Sequence, residues 1–174
     1  MKPLKPIHFK ILAELLRDSS RADRPIAKVL KVSQPTVTRN RHVIETRLID
    51  GYTIVPEFGK IGFELAVLTF LKTKPECKSA EAKETTVQRL REWFMKQPNV
   101  VAAREGRGMG CDSVCVSLHA SYPDYAEFAR TLENDLSDLL VASEAFLIDL
   151  KAGDAVKPFH LKYLAGLKSK NASE

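Results

Sequence analysis

The chain has 174 residues, 44% of them hydrophobic and 28% charged, with a formal net charge of +5. That is room for one mid-sized domain or two small ones with a real core, and it excludes wholesale disorder. No apolar run approaches the roughly 20 residues that span a bilayer, and the opening MKPLKPIHFK lacks an apolar signal stretch, so a cytoplasmic protein with no membrane partner is expected.

Cys77, Cys111 and Cys115 are odd in number and lack CxxC spacing. They read as reduced thiols, with neither a disulfide framework nor a zinc site. His8, His42, His119 and His160 are scattered, which gives no metal cluster, and no cofactor is expected. The charge is uneven: residues 1–60 hold 12 Lys+Arg against 6 Asp+Glu, and the remainder 15 against 16. A basic module followed by a neutral one suggests a polyanion-binding head on a body with another task.

Ile7, Ile11, Leu12, Leu15 and Leu16 share one helical face, with Pro6 in the opening turn. Asp23 is a candidate N-cap for a second helix with Ile26, Val29 and Leu30 inward and Pro25 in its first turn. Ser33 is a second N-cap, again followed by a first-turn proline, Pro35. At about 100° per residue, Val37, Ile44 and Leu48 fall within about 40° of arc, while Pro35, Arg39, His42 and Thr46 lie opposite, flanked by Thr36 and Thr38. Two short helices with a tight turn and an outer face of Thr and Arg predict a helix-turn-helix. Thr hydroxyls and a helix N-terminus suit phosphates, and Gln34 and Arg39 suit base edges. Tyr52-Thr53-Ile54-Val55 alternates like the strand of a wing.

From Gly62 the pattern changes. Strands are predicted at Phe63–Thr69, Val100–Arg104, Ser113–His119 and Phe146–Leu150, and helices at Glu84–Gln97 and Asp124–Leu140. The order βαββαβ is a ferredoxin-like sheet with both helices on one face. Its open face carries apolar residues and is most simply covered by a second copy, so a homodimer or higher homo-oligomer is expected. Between the second and third strands lies EGRGMGCD, whose Gly106, Gly108 and Gly110 permit either a plain hairpin or close backbone approach to a ligand. It lacks the ending of a P-loop. Cys111 and Cys115 lie on one strand face and read as core or interface thiols. No catalytic arrangement is legible, so no enzyme is expected. VKPFHLKYLAG predicts a short terminal helix through Phe159, Tyr163 and Leu164, and LKSKNASE a disordered tail.

RADRPIAKVLKVSQPTVTRNRHVIE followed by GYTIVPEFGKIGFELAVLTFL resembles the DNA-binding half of Lrp/AsnC (feast/famine) transcriptional regulators. GRGMGCDSVCVSLHASYPDYAEFARTL resembles the same family's effector-sensing (RAM/ACT-like) domain, and the order of both parts carries the resemblance. It implies an α+β protein: a winged helix-turn-helix over 1–56, a linker at 57–61, a ferredoxin-like sensing and dimerisation domain over 62–152, and a terminal helix and tail over 153–174. It also implies a sequence-specific regulator of double-stranded DNA. By similarity and exposure, Ser33, Gln34, Pro35, Thr36, Thr38, Arg39 and His42 would face the duplex. Gly106, Gly108, Gly110 and Asp112 would bind an amino acid or related small effector. Lys31 stands where the family usually carries glycine, which places a left-handed strain of about 1 kcal/mol there. A second resemblance, of architecture alone, is to siroheme decarboxylases, in which His119 and Arg107 would line a cleft.

Overall fold

The computed structural model describes residues 3–152 and 155–166. The chain divides into two compact units: one runs to Val55 and takes in the segment from Ala155 onward, and the other begins at Pro56.

The first unit holds helices α1 (Pro6–Arg17), α2 (Asp23–Leu30) and α3 (Gln34–Arg47). Ile11, Leu15, Ile26, Ala27, Val37 and Ile44 form its core, with Ile7, Leu12, Leu30, Val32 and Ile49 packed around them. Pro6 is the first residue of α1 and Pro35 the second of α3, positions where a missing N–H costs nothing. Asp23 is not an N-cap: Ala22 takes that position without a side-chain bond. The Asp23 carboxylate instead accepts from Thr38 Oγ1 at 2.6 Å and pairs with Arg41 Nη1 at 3.0 Å, joining α2 to α3. Leu48 lies outside the inner seam because α3 ends at Arg47, and it is exposed. The α2–α3 turn passes through Lys31 at φ 55°, ψ 45°, the left-handed region that the missing glycine implied.

No strand forms at Tyr52–Val55. The first unit offers no second strand for it among the described residues, and Tyr52 is tied by its hydroxyl to Glu45 at 2.8 Å. The terminal segment is a 3₁₀ turn, Leu161–Gly166, which packs on α1. The predicted tail, LKSKNASE, lies outside the described residues.

The second unit contains β1 (Leu65–Thr73), α4 (Ala80–Met95), β2 (Val100–Gly108), β3 (Cys111–His119), α5 (Tyr122–Asp135) and β4 (Leu140–Asp149). The sheet order is β2-β3-β1-β4, antiparallel throughout, which is the ferredoxin-like topology expected. Several boundaries differ from the periodicity. β1 runs four residues further, β4 starts at Leu140, and α5 stops at Asp135 because Leu136, Leu139 and Leu140 turn into the core. Leu71, Cys115, Phe128 and Leu132 meet in that core, with Leu90, Trp93 and Phe94 packed against it. On the opposite face the register aligns Leu68 with Val116 and Phe146, and Phe70 with Val114. Phe146 is 63% exposed there.

Candidate nucleic-acid interface and ligand cavity

Ser33 caps α3. Its Oγ accepts the Thr36 N–H at 3.4 Å and lies 2.8 Å from Thr36 Oγ1. With Val37 and Ile44 fully buried, the helix can only present its remaining faces outward. Gln34, Pro35, Arg39, His42 and Thr46 are exposed there. Thr38 is exposed too, but its hydroxyl donates to Asp23 and is 3.2 Å from the Gln34 carbonyl. It therefore holds α2 against α3.

The two neighbouring arginines differ. Arg39 is exposed, with no ion-pair partner among the described residues. Arg41 is half-buried. It donates to the Arg21 carbonyl and the Asp23 carboxylate at 3.0 Å and to Glu45 at 2.9 Å, with the Tyr52 ring beside it. Burial works against its charge, but the bonds to Asp23 and Glu45 outweigh it and raise its pKa. Thr38 and Arg41 hold Asp23 below the usual carboxylate range against the cost of burial, and Tyr52 and Arg41 do the same for Glu45. Arg41 was legible only as one more cation, although the Arg41–Glu45 spacing of four hinted at the pair. Glu14 was missed altogether. It is 5% exposed on α1 and takes both Arg17 and Arg21.

In the second unit, EGRGMGCD is a tight β-hairpin. Gly108 pairs with Cys111, and Met109 and Gly110 turn at φ 53° and 74°, the pair of positive angles of a type I′ turn. Gly110 thus has a backbone reason to be glycine. Gly106 and Gly108 have none: neither has a positive φ, and a Cβ at either would meet nothing within 4 Å. Between the hairpin and α4 lies a cavity of about 460 Å³. Gly106, Gly110 and Asp112 line it with Thr73, Thr86 and Lys83, over a floor of Val87 and Leu90. Gly108 does not. Asp112 accepts from Thr73 N at 3.2 Å and Thr73 Oγ1 at 2.8 Å, fastening the start of β3 to the end of β1. Lys83 on α4 pairs with Glu105 on β2 at 3.6 Å beside the cavity.

His119 and Arg107 are not brought together. Arg107 lines the cavity, whereas His119 is fully buried elsewhere. The His119 ring lies 2.9 Å from Ser117 Oγ and 3.5 Å from Asp124 Oδ2, between the rings of Tyr125 and Phe128. Burial lowers its pKa, with Asp124 pulling the other way. Among the described residues no three His, Cys, Asp or Glu gather as a metal site, and no helix is long and apolar enough to cross a membrane.

Solved structures share this architecture over most of the chain. An AsnC family transcriptional regulator from Agrobacterium tumefaciens superposes with a TM-score of 0.72 at 18% identity, over 92% of this chain and 99% of that one. E. coli AsnC does so at 0.67 and 15% identity, again over 92% and 99%. The chain has the fold of the AsnC/Lrp family transcriptional regulators. A further structure, a transcriptional regulator from Neisseria meningitidis in complex with L-Met, gives 0.71 at 13% identity, over 93% and 99%. No family model and no curated protein matches the sequence, so the likeness is one of fold. In this chain α3 and the Met109 hairpin belong to different units. The groups suited to a polyanion are thus separate from those suited to a small ligand.

Proposed function

We propose that the protein is a DNA-binding transcriptional regulator whose α3 enters the major groove. The observation that carries this reading is the capped α3, which turns Gln34, Arg39 and His42 outward from the unit that holds the excess positive charge. Ser33, Pro35 and Thr36 place the helix N-terminus toward a phosphate. Arg39 and Gln34 read base edges. Thr38 serves as a strut between α2 and α3. Footprinting on the DNA upstream of the protein's own gene tests this. A protected site is expected, with affinity falling steeply as salt rises; binding that ignores both sequence and salt would end the reading.

The apolar sheet face opposite α4 and α5 supports a homodimer built on Leu68, Phe70, Val116 and Phe146. Dimer mass by light scattering at micromolar concentration is the expected result. The cavity beside the hairpin supports an amino-acid-like effector, because glycine at 106 has no reason within the chain's own fold. Gly106→Val tests it, since the new side chain finds open space in the folded chain but narrows the cavity. In a melting screen against the amino acids, a ligand should raise the transition of the native protein and leave that of the variant unchanged. A screen in which no amino acid moves the native protein would reduce the loop to a hairpin.

An enzyme of the siroheme decarboxylase type is not favoured, because no cleft joins His119 to Arg107. A tetrapyrrole absorption band on the purified protein would reverse that judgement.

A further inference from the structure

The cavity has a second property, independent of any effector. Two of the three cysteines line it from different elements: Cys77 in the 3₁₀ turn Pro75–Lys78 that follows β1, and Cys111 at the start of β3. Both are half-buried. The elements that carry them are fastened together next to the thiols. Thr73 N and Oγ1 donate to Asp112, the residue after Cys111, and the chain beyond Thr73 turns back so that Cys77 N donates to the Lys74 carbonyl at 3.1 Å. Alternation along β3 turns Cys111 to the same sheet face as Ser113 and the buried Cys115, which is the face that α4 and the 3₁₀ turn cover.

We propose that Cys77 and Cys111 form a peroxide-responsive dithiol, in which a hydroperoxide joins them as a reversible disulfide across the cavity. Cys111, at the hairpin, is the first to react; Cys77, which also packs against the core, resolves. The Cys111 sulfur attacks one peroxide oxygen, the O–O bond breaks, and the departing oxygen takes a proton to leave as an alcohol, or as water from hydrogen peroxide. Cys111 is then a sulfenic acid. The Cys77 sulfur displaces the hydroxyl from it, and that hydroxyl leaves as water with the Cys77 proton. Two thiols are oxidised by two electrons and one peroxide is reduced. A disulfide holds its two Cβ atoms about 4 Å apart, so the oxidised cavity has no room for a small molecule between them.

Cys115 takes no part. It is fully buried, and burial pushes its thiol pKa up. That makes it an internal control.

The test uses the full chain, reduced and then treated with a small excess of hydrogen peroxide, quenched and alkylated. Intact mass should show alkylated thiols falling from three to one. Peptide mapping should find Cys77 joined to Cys111 within one chain, and dithiothreitol should restore all three. Cys77→Ser should stop the reaction at a sulfenic acid on Cys111 that dimedone traps, and Cys115→Ser should form the same link as the native protein. Three free thiols after treatment, a link that includes Cys115, a link only between chains, or over-oxidation of Cys111 without a link would each overturn the proposal.

Discussion

The two units solve the same packing problem over very different chain distances. In the first, Ile11, Ile26 and Ile44 come from three consecutive helices within about forty residues, two of them begun with a proline in the first two positions. In the second, Leu65 pairs with both His119 and Asp149, so β1 is complete only once the far end of the unit has arrived. Polar side chains follow the same division. The first unit uses Asp23, Thr38 and Arg41 to fasten α2 to α3, whereas the second relies on backbone ladders and uses Asp112 and His119 at strand ends. A unit built locally and one built non-locally can be broken separately, and that separation is open to measurement.

The largest effect is expected in the cores. Ile44 and Leu71 are both fully buried, one in each unit. Truncating either to alanine should cost its own unit about 2–5 kcal/mol, from lost burial plus the cavity left behind. Trp93, the chain's single tryptophan, lies in α4 of the second unit and reports on that unit alone. Leu71→Ala should therefore lower the Trp93 fluorescence transition. Ile44→Ala should leave it in place while removing duplex binding and only that part of the helical circular dichroism which α1, α2 and α3 supply, since α4 and α5 belong to the second unit. Equal shifts of the Trp93 signal in both variants would show that the units unfold as one.

The same contrast explains what the sequence disclosed. Ser33-Gln-Pro and the spacing of Val37 and Ile44 lie within one or two turns of each other, so α3 could be placed closely. The order βαββαβ was equally legible, since alternation marks each strand. Strand ends were not: β4 was expected to begin at Phe146 but starts at Leu140, because pairing with β1 extends it past the apolar residues. Tyr52–Val55 alternates like a strand yet finds no partner, and alternation alone cannot supply one. At the cavity, Gly106, Gly110 and Asp112 were implied by the family resemblance, whereas Thr73 and Lys83, far away in sequence, were not.

Arginines two positions apart on α3 give the next contrast. Arg39→Ala should weaken specific duplex binding by about 1–3 kcal/mol with little change in melting, as expected for one bidentate base contact. Arg41→Ala should do the reverse. It removes hydrogen bonds to Asp23, Glu45 and the Arg21 carbonyl, and a charged, half-buried bond is worth about 1.5–3 kcal/mol. Helical circular dichroism against temperature and fluorescence anisotropy with labelled duplex separate the two. If Arg41→Ala weakens binding without lowering the melting transition, Arg41 belongs to the reading face.

Acid should also separate the units, by a graded loss. The His119 pKa is lowered by burial from its ordinary 6.5, so between the folded value and 6.5 the unfolded chain binds more protons. Stability of the second unit therefore falls as pH drops below about 6.5. In the first unit Asp23 and Glu45 are held below their ordinary 3.8 and 4.5, so their contribution is present above that range and is lost only as pH falls through it. At pH 5.5 the Trp93 transition should have moved down more than the part of the helical signal that α1, α2 and α3 supply. His119→Asn should remove most of the difference.

The smallest expected effect places one test in each unit. Lys31 and Met109 are the non-glycine residues with positive φ among the described residues, at 55° and 53°. A Cβ in the left-handed region costs about 1–2 kcal/mol. Glycine relieves that cost but gains freedom in the unfolded chain, which returns about 0.4–1 kcal/mol of it. Lys31→Gly should therefore stabilise the first unit by no more than about 1.6 kcal/mol, or a few degrees in its transition. Met109→Gly should raise the Trp93 transition by a similar amount. Lys31→Ala removes the same charge but keeps the Cβ, so it should give no gain; a gain equal to that of glycine would assign the effect to charge and not to the backbone. If Met109→Gly moves the Trp93 transition and Lys31→Gly leaves it in place, each strain is held by its own unit, and the two units are energetically as well as topologically distinct.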